Sequence, residues 1–263
     1  MRIYLSVDFD YFSREEEEWD WGHNETPTFE DIAWYTRVRW YDDTSLERFA
    51  KPHPSNFWST LQQLGYTFDD CRSFTVANSH MWAAHDFLNV SPGDMIINFD
   101  AHHDMGYSDW ATLNSKWLRR NRVDCSNWLL LLLHRLSWLR AAVVYPPWKG
   151  ERELDPERPK PWLKSKTITD RFQHLVYDEE RVRELAGPVG GVFIAKSSAW
   201  LPPWHDEAFE EFVRLGSTIV GSPETPFVSQ EGSNPICCRK FNLQEALGHE
   251  RLMQEAINKL RSP

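Results

Sequence analysis

Residues 98–104 read NFDAHHD and overlap the end of the apolar run DMIINF at 94–99. That run predicts a strand, so the motif falls at a strand's C-terminal end, the edge where open α/β sheets bind ligands. In extended backbone Asp100, His102 and Asp104 alternate onto one side. Two carboxylates and an imidazole there make a compact divalent-metal site with mixed oxygen and nitrogen ligands. Asp8-Phe9-Asp10 repeats the same spacing after the β-rich run RIYLSVDF at 2–9. His80 follows a predicted strand at 74–77 and opens a predicted helix over 81–88; it is preferred to His85 because it lies nearer the strand end. Taken singly, Asp8 and Asp10 would serve as strand-end caps or ion-pair partners, and a lone histidine as a hydrogen-bonded core residue. Together the four aspartates carry −4, which balances two divalent cations. A single cation would leave buried charge uncompensated. The set therefore favours two metals, which share a bridging water and make hydroxide near neutral pH.

The elements that must position these residues alternate in type. Strands are predicted at 2–9, 74–77, 94–99, 191–195 and 217–221, and helices at 55–64, 81–88, 127–142, around 207–215 and at 242–260. Ser55 is read as the cap of the 55–64 helix and Gly65 as its stop. The 127–142 helix is apolar all round and so belongs in the interior. Strands alternating with helices imply a three-layer α/β/α fold with a mainly parallel central sheet. The 263 residues suffice for one large core and read as a single domain, with an exposed Pro- and charge-rich loop insertion near 146–161. The formal net charge of −10 argues against generic nucleic-acid binding. No apolar run approaches a membrane span, and the acidic N-terminal residues do not make a signal peptide. Cys71, Cys125, Cys237 and Cys238 are too few for a disulfide scaffold, so free thiols in a reducing cytoplasm are expected.

These motifs resemble those of the arginase/ureohydrolase superfamily. Asp100-Ala-His102-His103-Asp104 is similar to its Asp-Ala-His-x-Asp motif, and Ser6-Val-Asp8-Phe-Asp10 to its Ser-x-Asp-x-Asp motif. His80 falls where the family places its first histidine ligand, and Ser222-Pro-Glu224-Thr-Pro226 resembles the segment that grips the guanidinium. The two Asp motifs occur here in the reverse of the family's order, which implies a rearranged or circularly permuted chain; a parallel sheet still brings such strand ends together. That order, with the DFDYF and CSNWL segments, resembles the peptide arginases of ribosomally made natural products. The resemblance implies an arginase/deacetylase-like sheet and two Mn²⁺, one held by His80, Asp100, Asp104 and Asp8 and the other by Asp100, His102, Asp8 and Asp10. It further implies that a bridging hydroxide, oriented by Asp104, attacks an arginine side chain of a precursor peptide and leaves ornithine and urea. Glu224 would pair with the guanidinium, and Asn127 is a further substrate-binding candidate. The region where arginases carry a proton-shuttle histidine reads Asp124-Cys125-Ser126-Asn127-Trp128, so His103 or a water is the candidate shuttle.

Glu15–Glu18, Asp20, Glu25, Glu30 and Asp31 form an acidic stretch that is either a solvated loop or a funnel for a cationic peptide. Trp19, Trp21, Trp34 and Trp40 lie within or just beyond it, as core residues or as platforms for a guanidinium. His134, His205 and the Cys237-Cys238 pair are assigned no chemistry. The same ligand set also suits a free arginine or agmatine ureohydrolase, a two-metal phosphoesterase, a one-metal zinc deacetylase, or a metal-stabilised module that binds a basic peptide.

Overall fold

A computed structural model describes residues 1–13, 54, 56–106, 123–149, 166–198, 200–201 and 205–221. The predicted helix at 242–260, the acidic Trp-rich stretch, Glu224, the Cys237-Cys238 pair and most of the 146–161 loop lie outside them. Among the described residues six parallel strands form one sheet: β1 (Ile3–Asp8), β2 (Phe74–Ala77), β3 (Met95–Phe99), β4 (Arg140–Tyr145), β5 (Phe172–Val176) and β6 (Val189–Ala195). Their spatial order is β2-β6-β1-β3-β4-β5. The fold is three-layer α/β/α, and period-two alternation along the strands builds both faces. Ile3, Leu5, Val7, Ile97, Phe99, Val144, Val192 and Ile194 pack on one face, against α1 (Phe57–Leu64), α5 (Glu179–Glu184) and α6 (Asp206–Val220). Ile96, Ala141, Val143, Tyr145, Phe193 and Ala195 pack on the other, against α2 (Ala83–Asp86), α3 (Trp128–Arg135) and α4 (Lys166–Thr169).

Gly65 ends α1 in the left-handed region at φ 100°, as its position implied, while Asn56 holds the N-cap position. Four predicted strands are present nearly as read, and two further readings need correction. The predicted 127–142 helix is two elements, because α3 stops at Arg135 and β4 begins at Arg140. The Arg171 guanidinium donates to the carbonyls of Leu133, Leu136 and Leu139, satisfying the end of α3 and allowing the chain to turn into the sheet. Residues 217–220, predicted as strand, continue α6 to Val220, and Gly221 at φ 106° ends it. The edge strand β5 and the helix α5, capped by Asp178, carry too weak a pattern to be read from sequence.

The reason α6 overrides its β-branched tail is visible at Gly216. A Cβ there would meet the buried Trp58 ring at 2.8 Å, and Trp58 Nε1 donates to the Phe212 carbonyl. The helix is held against α1 by this close approach. Gly216→Val is expected to destabilise the protein by about 2–3 kcal/mol through overpacking, checked as a lower midpoint in urea unfolding at unchanged slope.

Among the described residues no helix is long and apolar enough to cross a membrane.

Candidate metal centre

The topology creates a crevice at the strand ends. The chain leaves β1 toward β2 on one side of the sheet and leaves β3 toward β4 on the other. This reversal between β1 and β3 is the switch point at which doubly wound sheets bind ligands, beyond the C-terminal ends of the strands. The register pairs Val7 with Phe99, which sets Asp8 and Asp100 side by side one residue further on. Ser6 pairs with Asn98 one step below, on the face of Tyr4 and Ile96.

Asp8, Asp10, His80, Asp100, His102 and Asp104 come together there. His80 Nδ1 faces three carboxylates, at 2.9 Å from Asp8 Oδ2, 3.1 Å from Asp104 Oδ2 and 3.2 Å from Asp100 Oδ2. His102 Nδ1 lies 3.0 Å from Asp10 Oδ2 and 3.6 Å from Asp100 Oδ1. Two sets of potential ligand atoms result, Asp8-His80-Asp100 and Asp10-Asp100-His102, each with its atoms within 4.8 Å of one another. They share Asp100. All these residues are buried except His102, whose side chain is 15% exposed and marks the open side of the site.

The supporting contacts are local where the backbone turns. After β1 the chain enters a 3-10 turn at Phe9–Phe12, and Asp8 Oδ1 accepts the Asp10 N–H as its N-cap. After β2, Ser79 caps the 3-10 turn His80–Trp82 that carries His80. After β3, Asp100 Oδ1 accepts the His102 N–H at 2.6 Å while Asp100 Oδ2 accepts from Asn98 Nδ2 at 2.9 Å. Ser6 Oγ lies 2.6 Å from His80 Nε2, which fixes the ring so that Nδ1 points into the cluster. Asp104 sits in the left-handed region at φ 51°, sparsely used by residues other than glycine. It is held there by its carbonyl, which accepts the Leu130 N–H, and by its carboxylate, which accepts from Trp128 Nε1.

Four buried carboxylates strain one another electrically. Burial and the charges of Asp10 and Asp100 push Asp8 up to about 7. Burial and Asp100 likewise push Asp104 well above the usual carboxylate range. Burial also penalises the Asp100 carboxylate, but hydrogen bonds from His102 and His80 outweigh it and hold its pKa well below that range. For His80 burial opposes protonation, and the Asp104 charge with hydrogen bonds to Asp100, Asp104 and Asp8 overcomes it and raises its pKa well above normal. The raised pKa of His80 reflects the positive charge that the carboxylates call for. Divalent cations would supply it more fully, and the oxygen and nitrogen donors suit Mn²⁺ and similar metals.

The remaining predicted residues are placed differently. His103 is fully buried and its Nδ1 accepts the Met105 N–H. Asn127 is buried at the N-terminus of α3, where its Oδ1 accepts the Asp124 N–H. His85 is exposed on α2. Among the described residues, four that sequence reasoning did not single out also line the site: Asn98, Trp128, Ser197 and Trp200. Ser197 Oγ donates to Asp8 Oδ2, and the Trp200 ring lies 4.9 Å from that of His102. Asn98 had a signal, since it shares the period-two face of Asp100; Ser197, 189 residues from Asp8, had none. Trp128→Phe keeps an aromatic ring in the core but removes the donor to Asp104, and should weaken Mn²⁺ binding roughly tenfold, measured by calorimetric titration.

The fold and the site together define a three-layer α/β protein with a buried aspartate-histidine centre at its switch point. Comparison with family models, with curated proteins and with solved structures gave no match.

Proposed function

We propose that the chain is a manganese-dependent hydrolase that converts arginine side chains of a precursor peptide to ornithine, with release of urea. The observation that carries this reading is the pair of buried ligand sets sharing Asp100 at the sheet's switch point. Asp8, His80, Asp100 and Asp104 would hold one Mn²⁺, and Asp10, Asp100 and His102 the other. A bound pair of this kind supplies a water acidified enough to act as a nucleophile at neutral pH. The motif resemblance of 100–104 and 6–10 to ureohydrolases directs the reading to a guanidinium carbon.

The chain's own residues contribute positioning and charge. Asn98 and the His102 N–H orient Asp100, Ser6 orients His80, and Trp128 orients Asp104. His102 and Trp200 border the exposed side, where a cationic group would meet an aromatic ring. Glu224 remains the proposed partner of the guanidinium.

The test is incubation of the metal-stripped protein with an arginine-containing peptide, with and without Mn²⁺, reading peptide mass and urea. Metal-dependent conversion to ornithine supports the reading, and parallel assays with free arginine and agmatine separate the peptide enzyme from a small-molecule ureohydrolase. Intact arginine with Mn²⁺ bound would redirect the activity to phosphoesters or acyl-lysine.

A further inference from the structure

The turn that follows β6 touches both halves of the centre, although neither of its contacting residues belongs to an acidic or histidine motif. Lys196 and Ser197 prolong the pairing of β6 with β2: the Lys196 N–H donates to the Ala77 carbonyl at 2.9 Å and the Ser197 N–H to the Asn78 carbonyl at 3.0 Å. The segment that carries Ser197 is thereby zipped to the segment that carries His80. The Ser197 carbonyl then accepts the N–H groups of Trp200 and Leu201, at 2.8 and 3.0 Å. Lys196 Nζ pairs with Asp206 at the start of α6, 2.9 Å away, tying the turn's other end to the helix layer.

Within this frame Ser197 adopts φ 48°, the left-handed region that favours glycine. It is buried, and its hydroxyl donates to Asp8 Oδ2, the oxygen that also faces His80 Nδ1. The other oxygen of Asp8 accepts the Asp10 N–H. The carboxylate plane of Asp8 is therefore fixed from both ends, by its own turn and by a hydroxyl from the turn that follows β6. An unfavourable backbone conformation retained at a residue whose hydroxyl reaches the cluster points to a role in the cluster rather than in the turn, where glycine would serve better.

We infer that Ser197 is a positioning residue for the metal centre, whose hydroxyl holds Asp8 in the orientation that binds the cation shared with His80. The inference rests on the metal-hydrolase reading of the same cluster. A hydroxyl donor onto a ligating carboxylate fixes its direction and offsets part of its charge, and such contacts support metal affinity by about 10–100-fold.

The experiment compares Mn²⁺ binding isotherms of the wild-type chain, Ser197→Ala and Ser197→Gly, with the thermal midpoint of each metal-free protein. Glycine relieves the backbone strain and alanine does not, so the pair separates the hydroxyl from the turn. At least tenfold weaker binding in both variants, confined to one of two binding steps, is the expected result, whatever the direction in which the midpoints move. Wild-type affinity in both variants overturns the inference, and so does wild-type affinity in the glycine variant with loss in the alanine variant alone, because the turn's geometry would then be what matters. Absence of Mn²⁺ binding by the wild-type chain overturns the metal reading itself, and the inference with it.

Discussion

Asp100→Asn is expected to abolish Mn²⁺-dependent hydrolysis and to weaken both metal-binding steps together. Asp100 is the one residue common to the two ligand sets, and it is fully buried. Its pKa is held well below the usual carboxylate range by His102 and His80, so it supplies charge at every working pH. Removing one partner from a buried set of charges costs about 3–5 kcal/mol, which corresponds to a loss of affinity of roughly a hundredfold to a few thousandfold. The amide keeps the shape of the side chain, so the effect reports charge rather than packing. Asp10→Asn gives the contrast, because Asp10 belongs to only one set and its loss should spare one binding step. Calorimetric titration of both variants resolves the difference. Equal, single-step losses in the two would show that Asp100 does not bridge.

The second large effect is on stability as a function of pH. In the metal-free protein Asp8 is pushed up to about 7, against an ordinary value of 3.8, by burial and by Asp10 and Asp100. The folded state therefore holds this proton more tightly than the unfolded chain does. Its contribution to stability is full at low pH and is lost as pH rises from about 4 through 7. His80, also raised, contributes stability below its ordinary value of 6.5 and loses it as pH rises through its higher folded value. Asp104 acts in the same direction as Asp8. Asp100 acts oppositely, but only below its ordinary value of 3.8, outside this window. The metal-free protein should accordingly be less stable at pH 8 than at pH 6, by on the order of 2 kcal/mol. Mn²⁺ should reverse the trend, because deprotonated ligands would bind it more tightly. At a hundredfold excess over the dissociation constant it adds about 2.7 kcal/mol. Thermal melts at both pH values, with chelator and with Mn²⁺, measure the effect. A Mn²⁺-induced rise in midpoint that shrinks from pH 6 to pH 8 would contradict the electrostatic account.

What the sequence made legible follows from range. The strands at 3–8, 74–77, 95–99 and 189–195 are short apolar runs bounded by polar residues, and their pattern is local. The six clustered side chains were visible for the same reason, since each closely follows such a run. The boundary between α3 and β4 was not legible, because apolar runs flank the short polar break in WLLLLLHRLSWLRAAVVY and that break is capped by Arg171 from a distant segment. The end of α6 was misread because Thr218, Ile219 and Val220 favour strand locally, while Phe209, Phe212 and the Gly216–Trp58 approach hold the helix. Ser197 and Trp200 belong to the centre only because β6 lies beside β1, a neighbour relation that no local pattern carries.

The central claim is that two divalent cations sit between the ends of β1 and β3 and share Asp100. Crystals of the protein grown with Mn²⁺, with anomalous diffraction recorded near the manganese edge, test it most directly. The account predicts two peaks about 3.5–4 Å apart, one against Asp8, His80 and Asp104 and one against Asp10 and His102, with Asp100 between them. A single peak, or none within the cluster, would contradict it.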